Sequence, residues 1–173
     1  MSAALLRSLF AHKAWANEEL FAELGKLDPA TQAAERHAAI RVLNHVYVVD
    51  RIFAAHLTRN AHGYTATNTP ETPSLETLAR DAQASDRWFA GYVDTLTSDA
   101  LAEEIAFVFT DGEAGRMSRE EMLVHVVTHG SYHRGAVGRI VTQLGLPPLR
   151  DLFTAYLHRA EPQRRAQDRS RPA

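Results

Sequence analysis

Two histidines near residue 130 have the spacing of metal ligands. Residues 121–140 read EMLVHVVTHGSYHRGAVGRI, and a helix through them places His129 and His133 one turn apart on one face. That face also carries the apolar positions Met122 and Val126, so both imidazoles are expected to be buried. An unpartnered buried polar group costs about 1–3 kcal/mol, and a shared metal ion would satisfy both rings. The spacing therefore predicts two ligands for one divalent metal ion, with hydrogen-bonded core histidines as the plainer alternative.

His125 lies one turn before His129 and could replace one member of this pair. All three side chains cannot bind one ion, because His125 and His133 lie about 12 Å apart along a helix that rises about 1.5 Å per residue. The pair is either His125 with His129 or His129 with His133, and the apolar stripe favours the second. His125 is then a candidate for lining the pocket or orienting a ligand. Gly130 stands where zinc-protease helices of the H-E-x-x-H type carry glutamate, so that enzyme class is excluded.

A third ligand must come from another helix, and His45 is the best candidate. The chain contains no cysteine, so a tightly held metal has to use His, Asp, Glu, backbone carbonyls or water. His45 lies in the run VLNHVYVVD, where apolar neighbours predict burial within a helix. The other histidines are weaker candidates because they lie beside a lysine, near a helix end, in a polar loop or near the tail: His12, His37, His56, His62 and His158. Three imidazoles would leave a coordination position open, as catalytic metal sites do.

Four amphipathic segments are predicted to be the helices that position these histidines. Their patterns run over residues 3–24, 38–58, 74–96 and 118–144. The third helix should begin with Ser74 as its N-cap, and the fourth with the capping-box pair Ser118 and Glu121. Gly145 and the prolines after it should end the fourth helix. These patterns indicate an all-α four-helix bundle.

Shorter segments connect and extend this predicted bundle. Residues 60–73 are polar and contain proline, which indicates a long loop. Between Glu103 and Met117, alternating apolar residues around Asp111 and Gly112 predict a short hairpin or an extended connection before the fourth helix. The run LRDLFTAYLHRA, after the prolines, is predicted to form one further short helix.

Length and composition limit the remaining possibilities. With 173 residues the chain fits one domain, assigned to residues 1–159, followed by an arginine-rich tail over 160–173 that we expect to be disordered. The formal net charge of −2 argues against nucleic acid as a partner. No apolar run approaches the roughly 20 residues of a membrane-spanning helix, and the N-terminal residues do not form a signal peptide. We therefore expect a cytoplasmic protein that does not bind membranes.

Several of these motifs occur together in one known family, the DinB/YfiT-like superfamily, which the chain resembles over most of its length. The motifs are WAN at Trp15–Asn17, LNHVYVVDRIF at Leu43–Phe53, HVVTHGSYHRG at His125–Gly135 and LGLPPLRD at Leu144–Asp151. The resemblance implies an up-down-down-up four-helix bundle. It also implies a site for one divalent transition metal ion, zinc or nickel, with His45, His129 and His133 as ligands, and a homodimer.

The resemblance also suggests a class of reaction. Similar proteins include S-transferases and isomerases that use low-molecular-weight thiols. We therefore expect a metal-dependent hydrolase or thiol-dependent transferase that acts on a small molecule. The alternatives are a non-catalytic metal-binding stress-response or interaction protein, and a plain structural bundle without metal. Many members have glutamine after the H-R-G motif, whereas this chain has Ala136, which weakens any analogy of substrate.

Four further residues are candidates for supporting the site. Asn17 and Asp50 match family motif positions and could orient a ligand imidazole, although plain hydrogen bonds between helices explain them equally well. Arg134 could bind a substrate carboxylate, but an ion pair with a neighbouring segment is the favoured interpretation. Tyr132 is a candidate for lining the pocket, or it simply packs.

Overall fold

Helices form most of the protein, in agreement with the all-α prediction. This computed structural model describes residues 2–147 and 151–165. The elements in chain order are α1 (Ala3–Leu24), α2 (Ala33–Leu57), α3 (Leu75–Asp94), α4 (Ser98–Ala102), β1 (Glu104–Val108), β2 (Ala114–Ser118), α5 (Arg119–Gln143) and α6 (Phe153–Ala160), followed by a 3₁₀ turn (Pro162–Arg165). The predicted fourth long helix is thus α5.

Side-chain caps set the start of three long helices. The Ser2 hydroxyl accepts a hydrogen bond from the Leu5 amide at the start of α1. Ser74 does the same for Thr77 in α3, and Ser118 with Glu121 forms a complete capping box at α5. The predicted caps of α3 and α5 are therefore confirmed.

The second helix begins earlier than the sequence predicts. It starts at Ala33 instead of Ala38, and Gln32 at its N-cap makes no side-chain capping bond. Ala33, Ala34 and Glu35 are good helix formers, so the helix extends back through a turn that shows neither an apolar stripe nor a capping signal.

The four long helices pack around two apolar clusters. Helices α1 and α2 each contact both α3 and α5. One cluster includes Phe10, Phe53, Phe89 and Met122, and the other includes Leu20, Leu43, Leu78 and Val137. On each of these helices, a stretch with buried polar residues separates the two clusters: Lys13, Asn17, Asn44, Asp50, Asp86 and Arg134. The core is thus two apolar halves with a polar layer between them.

The segment before α5 is a hairpin, which is one of the two forms that the sequence predicted; the other was an extended connection. Strands β1 and β2 pair antiparallel, with Ile105 opposite Met117 and Phe107 opposite Gly115. Ile105 and Phe107 are buried against the apolar cluster that contains Phe53. A Cβ atom at Gly115 would lie 2.6 Å from Cζ of Phe107, so any larger residue there would have to displace this buried ring. The short helix α4, which Thr97 caps, was not predicted.

The C-terminal part contains the predicted short helix, α6, at Phe153–Ala160. Gly145 follows α5 with φ of +75°, a conformation that glycine adopts without strain. Most of the tail that we predicted to be disordered, residues 166–173 of 160–173, lies outside the described residues. Within the described chain, no helix combines the length and the apolar character that crossing a membrane requires.

Candidate metal centre

Three histidines from two helices meet between α2 and α5. One ring nitrogen from each of His45, His129 and His133 lies within 4.8 Å of the others, and all three side chains are partly buried. The ring centres lie 4.9 Å apart for His45 and His129, 4.7 Å for His45 and His133, and 4.5 Å for His129 and His133. Among residues 2–147 and 151–165, this is the one cluster of three or more His, Cys, Asp or Glu side chains close enough to share an ion.

The structure leaves His125 outside this cluster. Its ring stacks on Phe53 with centres 4.6 Å apart and lies 5.3 Å from the ring of His129. Of the two pairings that the sequence allowed, His129 with His133 therefore converges on His45. His125 and the exposed Tyr132, whose ring lies 5.1 Å from that of His133, flank the cluster.

A hydrogen bond to the backbone determines the tautomer of His45. Its Nδ1 lies 2.7 Å from the carbonyl oxygen of Thr67. A carbonyl can only accept, so Nδ1 carries the proton and Nε2 of the neutral ring keeps its lone pair. That Nε2 lies 3.0 Å from Nε2 of His129. Two nitrogens that are both able to bind a metal therefore face each other across α2 and α5.

Burial favours the neutral form of His129 and His133. It lowers the pKa of His129 to about 3, and the neighbouring imidazoles of His133 and His45 contribute to the shift. The pKa of His133 is lowered for the same reasons, by burial first and by His45 second. Neutral imidazole is the form that binds metals, so these two rings are ready to bind at neutral pH.

The donor set fits a divalent transition metal ion. Zinc binds histidine nitrogen at about 2.0–2.1 Å, so two ligand nitrogens in a tetrahedral site lie about 3.3 Å apart, close to the 3.0 Å between the two Nε2 atoms. Nδ1 of His129 is buried without a hydrogen-bond partner, and an ion bound to Nε2 would leave it so, which means that the fit depends on the spacing of the ring nitrogens. Zinc, nickel, copper and iron all accept imidazole, so the nitrogens do not select one metal.

A buried lysine, which the sequence analysis did not single out, lies beside the cluster. Lys13 is 0% exposed, and its Nζ lies 2.6 Å from both Oδ2 of Asp50 and Oδ1 of Asp86. Its side chain passes next to Gly130, where a Cβ atom would lie 3.4 Å from Cε of Lys13. Burial raises the pKa of Asp50 to about 6, and the Lys13 ammonium opposes that shift.

The same polar layer continues to the C-terminal segment. Asn17 donates to Oδ2 of Asp86 over 2.7 Å, and Arg134 donates to Oδ1 of Asn17 over 3.1 Å. Arg134 also forms an ion pair of 2.8 Å with Asp151, whose other oxygen lies 2.9 Å from Nε2 of the buried His12. These buried polar and charged groups thus link α1, α2, α3, α5 and the segment that begins at Asp151.

These contacts locate the remaining predicted residues. Asn17 and Asp50 take part in hydrogen bonds between helices, and in the described residues neither is hydrogen-bonded to His45, His129 or His133. Arg134 is engaged with Asp151, in line with the favoured interpretation as an ion pair.

A signal for the polar layer is present in the sequence. On α1, Phe10, Lys13, Asn17 and Leu20 follow the three-and-four spacing of a buried helix face. The apolar neighbours would have predicted that Lys13 is buried, and a buried lysine requires acidic partners.

Comparison with known proteins identifies one match. The model of the DinB family matches residues 1–168 of the chain. No curated protein and no solved structure matches the chain.

Proposed function

The chain belongs to the DinB family, and from this premise we propose that it binds one divalent transition metal ion at His45, His129 and His133 and acts there on a small molecule. The convergence of three ring nitrogens within 4.8 Å is the observation that supports this function most strongly. Zinc and nickel are the ions that we expect.

An enzyme is favoured over a purely structural metal site because the ligand set is incomplete. Structural zinc sites have four protein ligands, whereas this cluster offers three histidines from the described residues. All three side chains are also partly exposed, so a small molecule can approach them. A bound ion would supply Lewis acidity, which lowers the pKa of a coordinated water or thiol.

Of hydrolysis and S-transfer, the surroundings of the cluster favour S-transfer from a low-molecular-weight thiol. No aspartate or glutamate of the described residues belongs to the cluster, and the nearby buried carboxylate of Asp50 is engaged by Lys13. Among the described residues, the cluster therefore includes no carboxylate that could act as a general base. A thiol, with an ordinary pKa of about 8.5, needs less help to ionise than water does.

A thiol-transfer assay tests this function. Protein supplemented with Zn²⁺ or Ni²⁺ would be incubated with an electrophilic aryl halide and a panel of low-molecular-weight thiols. We expect thiol-dependent product formation that falls to background in His129→Ala and persists in His158→Ala, a matched control on α6, where no residue is fully buried. Equal rates for the wild type and His129→Ala would contradict the proposal. Metal binding without turnover would favour the non-catalytic alternative.

Family membership also suggests properties of the whole protein. We propose that the long helices follow the up-down-down-up order of the family and that the protein is a cytoplasmic homodimer with a role in stress responses. Light scattering coupled to size-exclusion chromatography tests the dimer directly, since a monomer has a mass of 19.2 kDa.

A further inference from the structure

The loop that follows α2 folds back onto the helix beside the metal ligand His45. The carbonyl of Thr67 accepts the hydrogen bond from Nδ1 of His45 over 2.7 Å. The side chain of Thr67 is exposed, so the position of this carbonyl depends on how the next residues of the loop are held.

Asn44, which precedes His45 on α2, holds these next residues. Asn44 is 2% exposed, and its side-chain nitrogen donates to Oδ1 of Asn68 and, over 2.6 Å, to Oγ1 of Thr69. The amide of Thr69 also donates to Oδ1 of Asn68 over 3.0 Å. Both hydrogen bonds that the side-chain nitrogen of Asn44 donates thus go to the loop.

Arg41, one turn earlier on α2, fastens the same segment. Its Nη1 donates to the carbonyl of Thr69 over 2.6 Å, and its own carbonyl accepts from Nδ2 of Asn68 over 3.0 Å. Beyond these bonds, Oγ1 of Thr69 donates to the carbonyl of Glu71 over 2.7 Å. The segment 68–71 is therefore fixed against the first half of α2 by several independent bonds.

We propose that Asn44 is a positioning residue of the metal centre. By holding Asn68 and Thr69 against α2, it keeps the Thr67 carbonyl on Nδ1 of His45. The proton then stays on Nδ1, and the lone pair of Nε2 stays directed at His129. This inference rests on the proposed metal site, but the tautomer of His45 can be observed without any metal.

The effect of Asn44 on His45 follows from the bonds that the loop would lose without the Asn44 side chain. Replacing Asn44 by alanine leaves Oδ1 of Asn68 and Oγ1 of Thr69 without their buried donor, which loosens the loop. His45 would then exchange tautomers and rotate, so binding a metal would require the ring to be ordered again. Losing an outer hydrogen bond to a metal ligand typically lowers metal affinity by about 10–100-fold.

The experiment compares Asn44→Ala and Asn68→Ala with Asn60→Ala. Asn60 lies in the same loop, and in the described structure its side chain donates only to the nearby Thr58 hydroxyl, which makes it a matched control. Nitrogen-15 NMR of metal-free protein, with His45 assigned through a His45→Gln variant, reports the tautomer. Competition with a chelator reports the Zn²⁺ affinity, and circular dichroism verifies that each variant is folded.

We expect a single Nδ1-protonated tautomer in the wild type and in Asn60→Ala. Asn44→Ala and Asn68→Ala should show mixed tautomers and bind Zn²⁺ about 10–100-fold more weakly. If Asn44→Ala does not fold, Asn68→Ala, at a partly exposed position, tests whether the loop positions His45. Wild-type tautomer and affinity in the folded variants would overturn the inference. If the wild type binds no Zn²⁺, the proposed function fails, and the tautomers alone decide whether Asn44 positions His45.

Discussion

At the scale of single residues, burial determines how the histidines of the cluster respond to pH. His129 has a pKa of about 3 in the folded protein, whereas an imidazole in the unfolded chain titrates near 6.5. The unfolded state therefore binds more protons than the folded state below about pH 6.5. By linkage, the free energy of unfolding then falls as the pH falls below this value.

Acidification of the metal-free protein from pH 7.5 to 5.5 should therefore lower stability through His129, whereas Asp50, whose pKa is raised to about 6, contributes in the opposite direction. His129 should contribute up to about 1 kcal/mol of this loss once solvent screening is included. Urea unfolding of metal-free wild type and His129→Gln across this range measures the contribution. The loss on acidification should be smaller in His129→Gln. Parallel pH profiles for the two proteins would contradict the assignment.

Lys13 is the second residue whose surroundings predict a large effect of substitution, in this case on the free energy of unfolding. Its ammonium is fully buried between Asp50 and Asp86, and these carboxylates raise its pKa against the opposing effect of burial. Lys13→Met would leave two buried carboxylates without their cation, and we expect a loss of about 3–5 kcal/mol in the free energy of unfolding.

Lys26→Met is the matched control for Lys13. Lys26 is exposed just after the end of α1 and pairs with Glu23 in the last turn of that helix, so its loss should change stability by less than about 0.5 kcal/mol. Denaturant unfolding near pH 7 measures both variants. Similar small effects at the two positions would show that the buried pairs contribute little.

At the scale of elements, α5 carries two of the proposed metal ligands and a residue of the buried charged layer, Arg134, on one helix. Gly130 lies between His129 and Arg134, and a Cβ atom there would lie 3.0 Å from Nη1 of Arg134. At Gly138, eight residues on, no packing neighbour among the described residues lies within 4 Å of such a Cβ. The first glycine makes room for a buried side chain, and the second has no such function.

Alanine substitutions at these two glycines should therefore differ. Gly138→Ala should raise the free energy of unfolding by about 0.5–1 kcal/mol, because alanine favours a helix more than glycine does. Gly130→Ala should forgo that gain, since Arg134 would have to shift from its bond with Asn17. Thermal and urea unfolding test the comparison. Equal stabilisation at both positions would contradict the close packing around Gly130.

The elements differ in how far the sequence predicts them. Strong local signals, such as the Ser118–Glu121 capping box and the turn at Gly112, identify α5 and the hairpin before it. The first turn of α2 and the five-residue α4 carry no comparable apolar pattern, and they were missed. The site follows the same rule. Regular spacing on α5 indicated His129 and His133, whereas the carbonyl of Thr67 belongs to an irregular loop whose path depends on tertiary contacts.

At the scale of the whole molecule, the histidine cluster proposed as a metal centre belongs to the polar layer between the two apolar clusters. Met122 and Val126 on α5 lie in one cluster and Val137 lies in the other, and the ligands His129 and His133 fall between them. The long helices are thus held by apolar packing at both ends, which leaves the middle able to accommodate histidines, buried charges and an ion. Because the ligands come from α2 and α5, a bound ion would also join two helices.

Elemental analysis of tag-free protein tests the metal centre most directly. Wild type, His129→Ala and the surface control His158→Ala would be purified in parallel and then offered Zn²⁺ or Ni²⁺. The three-histidine centre predicts about one equivalent of a transition metal in the wild type and in His158→Ala, with little or none in His129→Ala. A wild type that carries no metal and takes up neither ion would contradict the central claim.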